Sequence, residues 1–300
     1  MTGFLDAVPG AVAQGIIWGI MAIGVYITFR ILDIADLTVD GTMATGGATL
    51  VVCMTLGIPA GIAMIIAFIA GCIAGLITGL FNTKFGIPAI LSGILMQLIL
   101  YSVNLRIMSQ KANLPLSVEK YHIILSLRNI PLALIVSGAF TVILIAVLYW
   151  FFGTEMGHSL RATGCNMNMA RANGINTDTN KIIGLSLSNG IVALSGALLS
   201  QYQGFCDVNM GRGAIVIGLA AVIIGEVIFG KIFKNFALRL LAAVFGGIIY
   251  YIVITFVLRL GLNANDLKMF SALVVAIFLA VPYWKRKIAE KNTREKKEAA

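Results

Sequence analysis

The residues able to do covalent or acid–base chemistry in this chain are few and badly spaced for it. His122 and His158 are the only histidines. Neither has a Glu or Asp at the separation that would hold a metal or relay a proton. No G-x-S-x-G elbow presents a serine nucleophile. The run GEVIFGK, Gly225 to Lys231, imitates a phosphate-binding loop, but Ile232 stands where Ser or Thr would meet Mg²⁺. That run also closes an apolar segment, whereas a phosphate loop follows a strand. Cys53, Cys72, Cys165 and Cys206 show no C-x-x-C spacing, and the first two lie in apolar runs, where cysteine acts as a small packing residue. No catalysis, cofactor or metal is expected, and work driven by ATP would have to be supplied by a partner.

What remains is binding chemistry. Gln14, Thr45, Thr49, Gln97, Asn104, Ser186, Ser188, Asn189 and Ser195 fall inside apolar runs. A polar side chain held in lipid belongs on the bundle interior or a water-filled path. Ser and Thr have the alternative of bonding back to their own helix, and Asn or Gln that of bridging helices. Gln97 and Asn189 are the strongest path candidates, because an amide is hard to satisfy within one helix. Asp33, Asp36 and Asp40 cluster near the end of an apolar run and are expected to be solvated.

The elements that must position these groups are membrane helices. Of 300 residues, 59% are hydrophobic and 12% charged, with a mean hydropathy of +0.95. A water-soluble globule carries about twice that share of charge. In a bilayer each backbone polar group must be satisfied internally, which leaves helices or a closed barrel. The apolar runs are long and continuous, so helices are expected. Nine approximate spans are read at 10–29, 42–56, 59–80, 87–104, 130–152, 182–202, 213–229, 236–258 and 268–284. The fold class expected is all-α and polytopic, with eight to ten membrane helices. The 42–56 run is short and rich in Gly and Thr, which marks it as a broken or partly inserted helix, and 213–229 is near the lower length limit. Gly15 with Gly19, and Gly71, Gly75 and Gly79, stand four apart, a spacing that lets helix backbones approach.

The net charge of +9 is not spread evenly: 285–300 carries seven Lys or Arg against three Glu. A nucleic-acid role is one reading, but a basic flank after an apolar segment is ordinarily a cytoplasmic anchor, and no nucleic-acid partner is expected. The membrane domain is thus expected over 1–284 with 285–300 as a basic inward tail. Counting back from that tail puts Lys231, Lys234, Lys84 and the polar stretch 153–181 inside. It puts 105–129 outside despite Arg106, Lys111, Lys120 and Arg128. The opening residues MTGFLDAVPG hold no Lys or Arg, so the basic start of a cleavable signal is missing.

The stretch 153–181, GTEMGHSLRATGCNMNMARANGINTDTNK, is the longest polar segment assigned to the inner face. Ala162, Ala170, Ala172, Met167 and Met169 favour a short helix, punctuated by Gly164 and by the turn at Gly174, since glycine accepts the positive φ of a helix end. Arg161 and Arg171 add positive charge. Gly157, Arg161, Ala162, Gly164, Asn166, Ala170, Gly174 and Ile175 fit the pattern G-x-x-x-R-A-x-G-x-N-x-x-x-A-x-x-x-G-I at fixed spacing. In this the segment resembles the cytoplasmic coupling segment of ABC importer permeases of the branched-chain amino acid/ribose family. Two further stretches agree. Asp36 to Gly41, with Thr38, resembles the family's D-L-S-V-x-G element. Gly211 to Gly213 followed by Leu219 to Gly225 resembles its late G-x-G and A-A-V-x-x-G region, with Glu226 where a second glycine is usual. The resemblance runs from Gly15 to Pro282, and the Thr-Val-Asp-Gly variant is similar to tryptophan- and tyrosine-type members.

That resemblance implies a type II-like importer permease without its own ATPase site. Residues 153–181, including Arg171, would dock on an ATP-binding subunit, an extracytoplasmic solute-binding lipoprotein would deliver the solute, and a second copy or a sister permease would complete the pore among membrane lipids. Asp36, Thr38, Thr45, Gln97 and Asn189 would lie along the translocation path. A secondary transporter or channel is the alternative. Such proteins place ionisable residues at mid-membrane, and no span here shows one clearly at its centre.

Overall fold

The computed structural model describes residues 7–117, 121, 123–259 and isolated positions between 269 and 280. His122, Lys120, most of the expected span 268–284 and the basic tail 285–300 lie outside the described residues. Helix α1 runs Val8–Tyr26 and continues as one π turn, Ile27–Ile31. Then follow α2 (Thr38–Thr55), α3 (Ala60–Thr83), α4 (Ala89–Ile107), strand β1 (Asn113–Pro115) and α5 (Ile130–Phe152). Two short helices, α6 (Glu155–Cys165) and α7 (Met167–Ala172), lead into α8 (Thr177–Gln203), strand β2 (Phe205–Asp207), α9 (Ala214–Phe229) and α10 (Phe236–Arg259). Among the described residues, six helices are long and apolar enough to cross a membrane: α1 with its π turn, α3, α4, α5, α8 and α10. The polytopic helical architecture follows.

Burial ranks these helices. α1 and α8 bury 78% and 72% of their apolar windows, α4 and α5 only 28% and 22%. The first pair therefore forms the centre and the second pair the lipid-facing rim. Small residues let the central helices touch. Gly71, Gly75 and Gly79 of α3 press on the backbone of α8 at Asn189, Leu185 and Ile182, and Gly15 and Gly19 of α1 press on Ile248 and Val244 of α10. A Cβ at any of these glycines would meet neighbouring atoms too closely to be accommodated without movement, so the four-residue spacing is the packing code expected in lipid, where close van der Waals contact holds helices together. Serines supply the polar stitches: Ser188 and Ser195 of α8 donate to the carbonyls of Gly24 and Ile17 of α1, both at 2.7 Å, and Ser186 donates to that of Cys72 at 2.8 Å.

Helix α2 departs from its expected form. It is not broken but a continuous helix of 18 residues that starts at Thr38, four residues earlier than expected, and it is not among the six long apolar spans. Its Gly and Thr content reflects a central position: Gly46 packs against the backbone of Ala193 and Gly47 against Ser200 and Cys206. The break lies just before it, where 32–37 turn back from the end of the π turn. The span at 213–229 is short for a different reason. α9 has 16 residues, about 24 Å at 1.5 Å per residue, and it starts inside the bundle, where Ala214 and Ile215 are buried.

The ends of the helices sort into two faces. Tyr202 at the end of α8 donates to the carbonyl of Gly10 at 3.3 Å, and β1 pairs antiparallel with β2, Leu114 opposite Cys206. The start of α1, the described residues of the 108–129 loop and the 204–207 turn thus share one face. The 153–176 segment lies on the other, beyond α5, with the end of the π turn. The two-stranded ribbon is a small β addition to an otherwise helical fold.

Candidate functional site

Asp36, expected to be solvated, is 2% exposed. The return of 32–37 into the bundle carries it beneath α8, while Asp33, three residues earlier, stays exposed. The Asp36 carboxylate accepts from the Thr38 backbone N–H at 2.9 Å and from Asn189 Nδ2 at 2.7 Å. Asn189 in turn accepts from Thr42 Oγ1 at 2.7 Å and donates to the carbonyl of Leu185. Thr38 Oγ1 shares a 2.9 Å hydrogen bond with Thr78 Oγ1 of α3, and Thr45 Oγ1 donates to the carbonyl of Gly41. Asp36, Thr38 and Asn189 are therefore joined in the closed interface among α2, α3 and α8, whereas Thr45 bonds only within α2; each of the four is no more than 3% exposed. Buried polar groups matched this fully fix one helix arrangement, because any slip leaves an unpaired group in low dielectric.

Gln97 is placed elsewhere. It lines a cavity of about 230 Å³ with Asp40, Tyr101, Asn104, Asn209 and Arg212. Gln97, Leu98, Tyr101 and Asn104 of α4, one of the least buried spans, form one wall of it. Asp40 organises it. One carboxylate oxygen accepts from the Gly213 N–H at 2.8 Å and the other from the Ile215 N–H at 2.9 Å. A carboxylate in the first turn of α2 thus also caps the N-terminus of α9, where free N–H groups and the helix dipole favour negative charge. Gly213 carries φ +88°, a left-handed conformation that glycine adopts without strain. Asn104, 1% exposed, donates to the Gly41 carbonyl at 3.3 Å while its Oδ1 is buried with no donor among the described residues. A cavity combining an amide, a phenol, a guanidinium and an orphan acceptor can take a small zwitterion. Asp40 and Arg212 were the polar members least legible in the sequence. In the sequence the first stands as a boundary carboxylate and the second as part of a glycine motif, and only the approach of α9 to α2 puts them together.

The 153–181 segment forms two helices instead of one punctuated at Gly164. The break is at Asn166, whose extended backbone ends α6 and whose Oδ1 accepts from the Met169 N–H at 3.0 Å to start α7. Gly164 stays helical and is seated on the Ile31 carbonyl at the end of the π turn, so near that a Cβ would collide with it. Gly157 is likewise seated on the backbone of Phe151 and Phe152. Arg161 places its guanidinium 4.2 Å from the Phe236 ring centroid and 5.4 Å from that of Phe152, a cation–π arrangement. Asn180 of α8 donates to Ser159 Oγ and Thr163 Oγ1 at 2.6 and 2.8 Å. Ala162 is half-buried; Ala170 is buried and its carbonyl accepts from the Ile175 N–H at 3.0 Å. Gly174 makes the expected turn at φ +79°, and Arg171 bonds Thr177 and Asp178 on the surface. The motif residues thus mostly hold the segment against the membrane domain. Its free face carries Cys165, Asn168 and Met169, the last 64% exposed.

Fold and site together define a helical, membrane-embedded permease with a polar side cavity and a docked surface segment. The model of the branched-chain amino acid transport system permease component matches residues 9–282, and the chain belongs to that family. It is 41% identical over 276 residues to the tyrosine transport system permease protein of Clostridioides difficile, covering 92% of this chain and 91% of that one. It is 36% identical over 272 residues to an uncharacterised protein of Rickettsia prowazekii, covering 90% and 95%. An autoinducer 2 import system permease of Escherichia coli is 35% identical over 100 residues, 32% of this chain and 29% of that one. In solved structures the fold is similar to PsaBC from Streptococcus pneumoniae in complex with Fab, with a TM-score of 0.53, 16% identity and coverage of 93% and 94%.

Proposed function

We propose that this chain is the pore-forming permease of an ATP-driven importer in a bacterial cell membrane, and that its cargo is an amino acid. The observation that carries the reading is the seat of Gly164 on the Ile31 carbonyl. Through it, a surface segment is fastened to the short stretch 32–37, which leads within a few residues to the Asp36–Asn189 pair and to Asp40 at the cavity. A partner that displaces α6 and α7 would pull on the residues that set how α2, α8 and α9 meet. An ATP-binding subunit docking on the free face at Cys165, Asn168 and Met169 is that partner. The 153–176 face is then cytoplasmic.

The side cavity supports a paired assembly. Gln97 and Tyr101 sit on a rim helix, and polar groups on a rim facing hydrocarbon are costly. A second copy or a sister permease covering α4 would turn the half-cavity into an enclosed path, fed from the opposite face by a solute-binding lipoprotein. Within that path Gln97 and Arg212 line the route, whereas Asp36, Thr38, Thr45 and Asn189 hold its wall. The amino-acid cargo is supported by the tyrosine-type relative and by the mixed polar lining.

The test is uptake by proteoliposomes holding the permease, its co-purifying ATP-binding subunit and the binding protein. Uptake should stop with an ATPase-inactive partner and persist with an ionophore. Gly164→Trp and Arg161→Glu should abolish uptake while leaving membrane insertion intact. Uptake that survives ATPase inactivation and collapses with the ionophore overturns this reading in favour of a secondary transporter.

A further inference from the structure

A second cavity, of about 710 Å³, lies on the face of α6 and α7, where the π turn, the end of α5 and the start of α10 meet. Its walls carry Arg30, Arg161, Lys234 and Arg239, with His158 beside them. One carboxylate answers this charge: Glu226 pairs with Arg30 at 2.9 Å. Among the described residues no ion pair is made by Arg161, Lys234 or Arg239, and Arg161 Nε is buried with no partner. The site thus concentrates cations that no carboxylate pairs among the described residues, although Arg161 lies over the Phe236 and Phe152 rings and Arg239 meets the Tyr26 hydroxyl.

Its depth points to the kind of anion. Tyr26, Tyr149, Phe152 and Phe236 line the same cavity; the last three belong to the terminal turns of spans, and Tyr26 directly precedes the π turn that ends the first. Next to them Tyr149 and Trp150 are 52% and 71% exposed, the rings that belong at the level of the headgroups. Basic pockets between membrane helices at this level take anionic headgroups. We infer that this cavity is a binding site for the phosphate headgroup of an anionic phospholipid, clamped by Arg161, Lys234 and Arg239 between the ends of α1, α5 and α10. The acyl chains would lie along the exposed apolar surface of α5. The bound headgroup would also brace α6 at Arg161, so lipid composition would set how firmly the surface segment is held. The inference requires the cavity to sit at a membrane boundary; it does not depend on the energy source of transport.

The experiment is native mass spectrometry of the purified full chain, with its co-purifying subunits, titrated with phosphatidylglycerol or phosphatidylcholine. Phosphatidylglycerol should bind selectively, and the double variant Lys234→Gln, Arg239→Gln should bind it about thirtyfold more weakly, the equivalent of about 2 kcal/mol at about 1 kcal/mol per basic residue. The charge-preserving pair Lys234→Arg, Arg239→Lys should keep the affinity, and Lys84→Gln, on the same face outside the cavity, should leave it unchanged. Equal binding of both lipids, or an equal loss with Lys84→Gln, overturns the site. Inorganic phosphate displacing phosphatidylglycerol at equimolar concentration would make it a free-anion site and overturn the lipid assignment. So would displacement by the ATP-binding subunit, whose acidic residues would then be the true occupants.

Discussion

At the scale of single residues, burial decides which polar groups work as structure. Asp36 and Asn189 satisfy each other at 2.7 Å within a closed interface. Asp36→Ala removes the acceptor for Asn189 Nδ2 and for the Thr38 N–H together. The cost is expected at about 1–3 kcal/mol, the penalty for orphaning a buried donor, read as a lower unfolding temperature in detergent. Asp36→Asn keeps one acceptor and should fall between. An Asp36→Ala protein as stable as the parent would show that the pair holds nothing. The sequence marked both residues as polar within a motif, but it offered no means of telling a wall from a lining. Gln97 and Asn189 looked alike as amides in apolar runs. One faces a cavity and the other is fully bonded, because α4 lies on the rim and α8 at the centre.

At the scale of elements, the cavity depends on two helix starts sharing one carboxylate. Asp40 sits in the first turn of α2 and receives the N–H groups of Gly213 and Ile215. Asp40→Ala leaves the α9 start uncapped, a change worth about 0.5–2 kcal/mol in general. Hydrogen exchange at Gly213 to Ile217 should accelerate relative to the centre of α8, and unchanged exchange there would refute the capping role. The short lengths of α2 and α9 follow from the same arrangement. Both begin inside the bundle, so each needs a polar partner where its free N–H groups would otherwise meet apolar neighbours. The sequence showed the shortness as a short run rich in Gly and Thr in one case and as a bare length in the other. What it could not show was that the two starts meet.

At the scale of the whole molecule, sidedness is the property that transport depends on. Cys165 is exposed on α6, whereas Cys206 is fully buried in β2 on the opposite face, where burial pushes its thiol up to about 12. A variant keeping Cys165 alone should resist an impermeant thiol reagent in intact cells and react in inverted vesicles. A variant keeping Cys206 alone should react from neither side until unfolded, since the thiolate is the attacking form. Labelling of Cys165 from outside the cell would reverse the orientation and remove the proposed ATPase docking. Sequence by itself determined that this chain lives in a bilayer, nearly where the long helices among the described residues begin, and which surface segment bears the family motif. Those follow from hydropathy and local spacing, which act over a few residues. Tertiary structure alone decided that Gly164 is a seat for the Ile31 carbonyl, that Asp36 is buried, and that Asp40, Gln97 and Arg212 share one cavity. Each of those rests on the meeting of helices far apart in the chain, and nothing in a local pattern records which faces will meet.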